Sequence, residues 1–315
     1  MRNNVDHLLP IVRVGEIPKE DDAHRWLIEE LWGASSVGVI GGAPKCSKTW
    51  LGLDMALSVA TGTPCLGRYA VPRRGPVLVY LAEDALPIVR ERVAEMARHR
   101  GLGIEEVDMH VITVPTLRLD LEPHRARLLE TAKRLRPRLL VLDPLVRLHG
   151  IDENNAGEVA ELLAYIRSLQ RKLDLCVVLV HHARKNGAVA AGQGLRGSSD
   201  IHAFGDSNLY LRRSSQQLVL SSEHRAAPAS PSVQLKLVST DAQTTHLEVI
   251  GELEGERRRD LNQQVLDCLA NGGVHTRARL RDTLSVNNQR LGDVLELLEQ
   301  SGQVRRTATG WQRID

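Results

Sequence analysis

The sequence predicts an α/β fold in which a mainly parallel central sheet is followed by a small helical domain. Three observations lead to this prediction. Between Ser36 and about Ile250, apolar strand-like runs alternate with longer helical patterns, as expected for parallel strands joined by crossover helices. A strand, a glycine-rich turn and a helix follow one another near the start of this region. The residues from 253 onward have a helical pattern of their own.

The composition fits a globular protein with room for one large domain and one small domain. Of 315 residues, 42% are hydrophobic and 25% are charged, so the chain can bury a substantial core. No run approaches the roughly 20 consecutive apolar residues that cross a bilayer, and the first residues lack the apolar core of a signal peptide. We therefore expect a cytoplasmic protein that does not interact with membranes.

Charge and cysteine content narrow the possible functions. The net charge is +2 at pH 7, so any nucleic-acid site must be local rather than spread over the chain. Cys46, Cys65, Cys176 and Cys268 are scattered without a C-x-x-C pair, which argues against a disulfide framework and against a zinc site. We expect them to be small buried side chains, except that the position of Cys46 in the glycine-rich turn could make it oxidisable.

Three regions are predicted along the chain. Residues 1–33 are expected to form an N-terminal arm with a short helix over Trp26–Trp32, where apolar residues recur at helical spacing. Residues 34–252 form the α/β domain. Residues 253–315 form the small domain, which a charged stretch at Glu252–Asp260 separates from the rest.

The strands of the α/β domain are predicted from apolar runs that turn signals bound. The first strand ends at Ile40, and a helix is predicted over Trp50–Ala60. The further strands, in chain order, are Val77–Leu81, Val107–Ile112, Leu139–Leu142, Cys176–Val180, Asn208–Leu211, Gln217–Leu220, Val233–Leu237 and Thr245–Ile250. We predict that the last four form an antiparallel extension of the sheet.

The turn after the first strand carries most of a phosphate-binding pattern. Such a loop has the form G-x-x-x-x-G-K-[ST] and binds phosphate through backbone N–H groups and the positive end of the following helix. Gly42, Lys48 and Thr49 fit the pattern, whereas Ser47 replaces the second glycine, and its Cβ is expected to crowd the loop. The alternative is an ordinary turn. The predicted cofactors are ATP and Mg²⁺, and the predicted binding residues are Gly42, Ala43, Pro44, Lys45, Cys46, Ser47, Lys48, Thr49 and Trp50.

Two further strands end in carboxylates. Asp143 follows Leu139–Leu142 and precedes a proline, which suits a ligand that holds Mg²⁺ together with Thr49. Glu83 and Asp84 follow Val77–Leu81. We predict that Glu83 orients the attacking water and that Asp84 caps the next helix, with Pro87 in its first turn. In the alternatives, Asp143 marks a turn and Glu83 is a capping residue.

The order of these motifs resembles the RecA-like ATPases, especially the hexameric replicative helicases of the plasmid RepA type. The resemblance covers roughly residues 30–225 and also rests on Val178–His182 and on Gly194–Ile201 followed by Asp206. It implies a homo-oligomer, expected to be a hexamer, that hydrolyses ATP. It also implies that His182, or else His181, senses the γ-phosphate, and that Arg212 or Arg213 enters a neighbouring subunit's site. These residues could instead have structural roles.

The segment Ala183–Gly197 is rich in glycine and alanine and contains Arg184, Lys185 and Arg196. In the helicases that the chain resembles, a loop at this place contacts single-stranded DNA. Basic side chains suit the phosphates, and the segment has no aromatic residue for base stacking. We therefore expect sequence-independent binding of single-stranded DNA, or else an ordinary surface loop.

The C-terminal region resembles a winged helix-turn-helix domain. Its helices are predicted over Leu261–Leu269, from a Thr276 cap to about Leu284, and through Leu291–Leu298, with two short strands around Thr309–Gly310. Duplex DNA would then contact polar and basic side chains of the third helix and of the strands. These are Asn288, Arg290, Arg305 and Arg306. Because acidic residues load the same helix, docking of a protein remains the alternative.

The leading hypothesis is a DNA-dependent ATPase, a helicase or translocase that serves replication or movement of a mobile element. The alternative is a nucleotide-switched regulator or loader that does not unwind DNA and in which Ser47 slows turnover. A structural ring that binds nucleotide without hydrolysing it is a third possibility.

Overall fold

The fold was analysed in a computed structural model of the chain, which divides into two compact units, Met1–Gly251 and Glu252–Asp315. Each unit is described by itself. The residues that the structure describes are 9, 11–17, 25–153, 155–182, 199–214, 217–241, 244–253, 261–270, 273–284, 286, 288–307 and 309–314. Among them, no helix is both long and apolar enough to span a bilayer.

The large unit alternates helices with strands. Its helices are α1 (Lys48–Thr61), α2 (Leu86–His99), α3 (Glu122–Leu135), α4 (Ala156–Leu173) and α5 (Ser199–Phe204), and short 3-10 turns cover Val14–Glu16, Ile104–Glu106 and Leu145–Arg147. Its strands are β1 (Trp26–Ile28), β2 (Trp32–Gly33), β3 (Val37–Gly42), β4 (Val77–Leu81), β5 (Met109–Val111), β6 (Leu139–Asp143), β7 (Cys176–His182), β8 (Ser207–Ser214), β9 (Gln217–His224), β10 (Val233–Asp241) and β11 (Thr244–Glu252).

A sheet of nine strands within the described residues forms the centre of this unit. The strand order is β11-β10-β9-β8-β3-β7-β6-β4-β5. The pairs from β8 to β5 are parallel, whereas β9 is antiparallel to β8 and to β10. The predicted α/β fold with a mainly parallel sheet is therefore confirmed. The antiparallel part begins at β9 rather than β8, because β8 also pairs in parallel with β3, with Ile40 opposite Leu209.

Helices cover both faces of the sheet. In β6, Leu139 and Val141 belong to the buried cluster that includes Met55 of α1. The alternate residues Leu140 and Leu142 belong to the cluster that includes residues of α3 and α4. Side chains of a strand alternate between faces, so a strand buried on both faces is a continuous apolar run. This arrangement leaves the carboxyl ends of the parallel strands as the place for polar chemistry.

The predicted helix over Trp26–Trp32 is wrong. These residues form the antiparallel pair β1 and β2, and Glu30 between them has a left-handed backbone with φ of 59°. Leu27, Ile28, Leu31 and Trp32 are all buried in the cluster that includes Met55. A helix would present one apolar stripe, whereas the hairpin buries all four of these side chains, so tertiary packing overrides the helical spacing.

The described residues of the small unit form three helices and one strand pair. The helices are α6 (Leu261–Leu269), α7 (Arg277–Leu284) and α8 (Asn288–Gln300), and β12 (Val304–Thr307) pairs with β13 (Gly310–Arg313) in antiparallel fashion. Thr276 caps α7 as predicted, since its hydroxyl accepts a hydrogen bond from the Arg279 N–H at 3.2 Å. Buried side chains such as Val265, Leu280 and Leu295 form a core within this unit.

Candidate nucleotide site

The phosphate-binding loop lies between the carboxyl end of β3 and the first turn of α1. Gly42, the last residue of β3, packs so closely against β8 that a Cβ at this position would collide with the carbonyl oxygen of Leu211 and lie 2.9 Å from Cys46 Sγ. Only glycine fits this close approach. The loop is therefore anchored on the sheet at its start, as the strand-turn-helix pattern predicts.

Ser47 occupies the position of the missing glycine and has a left-handed backbone, with φ of 61° and ψ of 27°. Lys45 also has a φ of 61°. For a residue with a Cβ this conformation costs roughly 1–2 kcal/mol. The sequence predicts that the Cβ of Ser47 crowds the loop, and in the structure Ser47 has a strained backbone. Strain of this kind is typical of sites that bind a ligand.

The first turn of α1 faces the loop with its backbone N–H groups. Ser47 is the N-cap of α1, and no side chain among the described residues caps the helix there. Lys48 is buried, and its Nζ donates hydrogen bonds to the carbonyls of Gly42 at 3.0 Å and Ala43 at 2.7 Å. Burial lowers the pKa of Lys48, while nearby Cys46, Asp143 and Glu83 oppose that shift. The amino group is thus held beside the loop rather than in solvent.

Thr49 and Asp143 meet at the end of β6. The Thr49 hydroxyl donates a hydrogen bond to Asp143 Oδ2 at 2.6 Å, and Asp143 is only 7% exposed. Burial raises the pKa of Asp143 to about 6, and the charges of Asp84 and Glu83 add to this rise, whereas the Thr49 bond and Lys48 oppose it. A hydroxyl and a carboxylate are the hard oxygen ligands that Mg²⁺ prefers.

The chemistry of this pair fits the metal that the sequence predicts. Mg²⁺ commonly keeps several waters and takes only one or two carboxylates plus phosphates. The described residues include no group of three or more histidine, cysteine or acidic side chains that could hold a metal ion by themselves. Thr49 and Asp143 would therefore hold Mg²⁺ together with a nucleotide.

Glu83 and Asp84 have ion-pair partners that the sequence does not reveal. Glu83, which is half exposed, accepts from Arg147 Nε at 2.8 Å. Asp84 accepts from Arg92 Nη1 at 2.7 Å. The predicted cap by Asp84 is wrong, because the N-cap of α2 is Ala85, which has no capping side chain. The turn places Asp84 ahead of the helix, where its carboxylate reaches Arg92 two turns along.

Arg92 and Arg147 are the polar residues that the sequence argument missed. The Arg92 guanidinium also lies over the Trp50 ring, 5.5 Å from its centroid. Arg147 lies in the 3-10 turn just after β6. Arginine spacing along a chain does not identify such partners, although Arg92 lies in the second turn of α2, within reach of the turn that precedes the helix.

A cavity of about 340 Å³ brings the predicted nucleotide-site residues together. It extends from the loop to the ends of β4, β6 and β7. Its walls are Lys45, Cys46, Ser47, Lys48, Thr49, Trp50, Leu81, Glu83, Asp84, Arg92, Asp143, Val180 and His182. A second cavity, of about 600 Å³, lies between β5 and α3 and has none of the predicted site residues in its walls.

The two histidines at the end of β7 differ in position. His181 and His182 lie opposite Gly41 and Gly42 of β3 in parallel register. His181 is buried, whereas His182 is in the wall of the cavity. Of the two alternatives, His182 is the one that lines the cavity together with Lys48, Thr49 and Asp143.

Arg212 and Arg213 lie on β8 beside the loop. Arg213 Nη2 donates a hydrogen bond to the carbonyl oxygen of Lys45 at 3.2 Å. Both side chains are exposed, and neither is in the wall of the cavity. Arg213 therefore contacts the phosphate-binding loop of its own chain, a contact that the sequence does not reveal.

The predicted DNA-binding residues divide into two groups. Arg184, Lys185 and Arg196 lie outside the described residues. In the small unit, Asn288 and Arg290 lie in the first turn of α8, while Arg305 and Arg306 lie on β12. Arg305 donates a hydrogen bond to Gln312 on β13 at 3.0 Å.

Comparisons with known proteins agree with this fold. A family model described as an AAA domain matches residues 4–188, which is more than half of the chain. The crystal structure of the RadB recombinase aligns with a TM-score of 0.51 and 17% identity, covering 69% of this chain and 91% of that chain. The structure of a DnaB-like replicative helicase, described with its interactions with primase, aligns with a TM-score of 0.52 and 14% identity. That alignment covers 68% of this chain and 57% of the helicase chain. At these identities the likeness is one of fold, that of the RecA-like P-loop proteins.

Proposed function

The chain belongs to the AAA domain family, and from that premise we propose that it is a DNA-dependent ATPase in which residues 41–49 bind the phosphates of ATP. One observation carries the proposal. Lys48, Thr49, Glu83, Asp143 and His182, which come from four separate places in the sequence, all line one cavity at the carboxyl ends of the strands. Ligands of open parallel sheets bind at such an edge.

ATP would bind with its outer phosphates in the loop. The N–H groups of the first turn of α1 are free of side-chain caps in the described structure and would donate to phosphate oxygens. Lys48 would exchange the carbonyls of Gly42 and Ala43 for the phosphates, which offer an ionised acceptor. Bound Mg²⁺ would neutralise charge that develops on the phosphates. Thr49 and Asp143 would hold the Mg²⁺ ion.

Hydrolysis would depend on Glu83. A carboxylate at the end of β4 can accept a proton from water, or orient it, for in-line attack on the γ-phosphate. Arg147 pairs with Glu83 at 2.8 Å, so that ion pair has to open or turn before Glu83 reaches the water. Because the pair is exposed, it stabilises the resting position only weakly. His182 would then report the presence of the γ-phosphate to the chain segment that follows it.

The proposal also includes DNA binding and assembly into an oligomer. The net charge of +2 is too low for the whole surface to bind DNA. Single-stranded DNA would therefore bind locally, through Arg184, Lys185 and Arg196. The Glu252–Asp315 unit, whose described part has three helices and a strand pair, would act as a winged helix and bind duplex DNA through its α8 and β12. The chain would assemble as a hexamer, with Arg212 directed to a neighbouring nucleotide site. Such a motor would serve replication or movement of a mobile element.

A second function is favoured by the strain at Ser47. A loop with two non-glycine residues at positive φ has a strained binding conformation, so returning to that conformation in every catalytic cycle would cost free energy and slow repeated turnover. The protein would then be a nucleotide-switched regulator or loader that binds ATP and turns it over slowly. Strand displacement on a forked duplex distinguishes the two functions, because only a helicase produces it.

Release of phosphate from ATP, with and without single-stranded DNA, tests the proposal. We expect DNA to stimulate the wild-type protein. Lys48→Ala and Glu83→Gln should each lower the rate roughly 10²-fold or more, since each removes a group that acts on the reacting phosphate or water. Lys133→Ala is a matched control, because Lys133 is an exposed lysine paired with Glu130. Wild-type hydrolysis in the Lys48→Ala protein would overturn the assignment.

A further inference from the structure

We infer that Arg213 is a positioning residue that holds the phosphate-binding loop of its own chain in the nucleotide-binding conformation. This inference rests on the proposed function, because it assigns a role within the same site. The contact that carries it is the hydrogen bond from Arg213 Nη2 to the Lys45 carbonyl, at 3.2 Å. Arg213 is also close enough to Cys46 for its positive charge to act on that thiol.

The loop needs such support because of its sequence. Lys45 and Ser47 both have a φ of 61°, where a Cβ is disfavoured. Glycine at position 47 would adopt this conformation freely. A loop with these two residues therefore tends to relax to another conformation unless contacts outside it determine its shape.

Strand β8 provides contacts of this kind at two points. At the first point, the Cys46 thiol lies 3.6 Å from the carbonyl oxygen of Leu211 on β8, which can accept its hydrogen bond. Two residues further along β8, Arg213 donates to Lys45. The first contact fixes the base of the loop and the second fixes its outer part. Because β8 pairs directly with β3, both contacts tie the loop to the rigid sheet.

The bond also sets the direction of the peptide groups. With the Lys45 carbonyl directed to the guanidinium, the following residues Cys46 and Ser47 line the cavity. Arginine keeps its charge at all accessible pH values and presents five N–H donors in a fixed plane. One of these donors bonds to the Lys45 carbonyl, and this bond holds the side chain against the loop of its own subunit. A finger that enters a neighbouring subunit's site would have to leave this contact.

Nucleotide binding by an Arg213→Ala variant is the direct test. The probe is a fluorescent ATP analogue, titrated in the presence of Mg²⁺. We expect its Kd to rise about tenfold, the lower end for a hydrogen bond made by a charged group. In hydrolysis the KM should rise by a similar factor, with a smaller change in kcat. Lys236→Ala is a matched control, because Lys236 is an exposed lysine on β10 of the same sheet. Equal Kd values for the Arg213→Ala and wild-type proteins would overturn the inference.

A second variant separates this role from loss of folding. Adding Ser47→Gly to Arg213→Ala removes the strain that Arg213 is inferred to restrain, and should restore most of the lost affinity. A merely structural role for Arg213 would not be rescued by a change at position 47. Failure of rescue, with both proteins folded as judged by thermal melting, would overturn the inference.

Mixing Lys48→Ala subunits with Arg213→Ala subunits, at an ATP concentration below the wild-type KM where both variants are impaired, tests whether Arg213 acts within its own subunit. Lys48→Ala subunits keep Arg213, and Arg213→Ala subunits keep Lys48. If Arg213 acts within its own chain, the mixture hydrolyses ATP no faster than the sum of its parts. Recovery of activity in the mixture would show action across subunits and overturn the inference. Failure of the proposed function is distinct, since the wild-type protein would then bind no ATP analogue, or would bind it without releasing phosphate from ATP.

Discussion

The two ends of α1 use the same backbone conformation for opposite purposes. At the amino end, Ser47 is left-handed with a φ of 61°. At the carboxyl end, Gly62 is left-handed with a φ of 82°, and its N–H donates to the Ser58 carbonyl at 2.7 Å. Glycine adopts this conformation without a steric penalty, and serine does not. The helix is therefore strained where it faces the phosphate site and relaxed where it only terminates.

Hydrogen bonding at the two ends differs in the same way. Near the carboxyl end, Arg100 donates to Asp54 at 2.6 Å, to Ser58 at 2.8 Å and to Thr63 at 2.6 Å. Asp54 in turn accepts from the Leu66 N–H at 2.7 Å. A buried network of this kind stabilises a fold only when its members are satisfied. Hydrogen bonds therefore stabilise the carboxyl end of α1, whereas the amino end leaves its N–H groups for a ligand.

The largest effect is expected from Asp54→Ala, which breaks the buried network that joins the middle of α1 to its carboxyl end through Arg100. Asp54 and Arg100 are 3% and 10% exposed, so the change leaves a buried guanidinium without its carboxylate. We expect the free energy of unfolding to fall by about 3–5 kcal/mol, as measured by urea denaturation. Glu130→Ala, which breaks the exposed pair with Lys133, should change it by less than about 1 kcal/mol. Equal effects of the two substitutions would contradict the contrast between the ends.

At the strained end, by contrast, Asp143→Asn should raise the free energy of unfolding at pH 7. The pKa of Asp143 is raised by burial from 3.8 to about 6. A raised pKa means that this carboxyl contributes stability below pH 3.8, and that the contribution is lost as pH rises through about 6. At pH 7 and without Mg²⁺, the variant should be more stable by up to about 3 kcal/mol, since each pKa unit represents about 1.4 kcal/mol.

Thermal melting across pH checks this prediction. The advantage of Asp143→Asn should be large at pH 7, shrink as pH falls below about 6, and be absent below about pH 4. In return, the stabilisation of the wild-type protein by Mg²⁺ and nucleotide should be lost in the variant. A variant that is less stable than wild type at pH 7 would show that ionised Asp143 supports the fold rather than only the metal site.

Gly62→Ala tests whether the relaxed end depends on glycine. The nearest atom to an added Cβ would be Arg74 Cβ at 3.5 Å, an ordinary contact, so only backbone strain acts. We expect the free energy of unfolding to fall by about 1–2 kcal/mol, with nucleotide affinity unchanged. An unchanged melting temperature would mean that α1 can end without the left-handed residue.

Ser47→Gly is expected to have the smallest effect and, unlike Gly62→Ala, to raise the free energy of unfolding. It removes the strain at the amino end but adds backbone freedom to the unfolded chain. The net gain in free energy of unfolding should be below about 1 kcal/mol. Affinity for ATP should rise slightly, as measured with the same fluorescent analogue. A loss of stability would show that the serine side chain stabilises the loop more than its conformation strains it.

Local sequence determined most of the framework of this protein. Apolar runs predicted strands at β4, β6 and β7, and the strand-turn-helix pattern predicted β3 and α1, because these signals depend on burial and on periods of 2 and 3.6 residues. The meeting of Thr49 and Asp143 also follows from local signals. Each lies at the carboxyl end of a strand or the start of the next helix, and parallel strands share that edge.

Tertiary structure alone decided which polar side chains pair and how the chain enters the sheet. The partner of Glu83 comes from the turn after β6, that of Asp84 from the second turn of α2, and Arg213 on β8 reaches Lys45 in the loop after the neighbouring strand β3. The residues Trp26–Trp32 have helical spacing but form a hairpin, because the surrounding core buries both of its strands. Ion pairs and packing between distant segments depend on three-dimensional proximity, which periodicity along the chain does not encode.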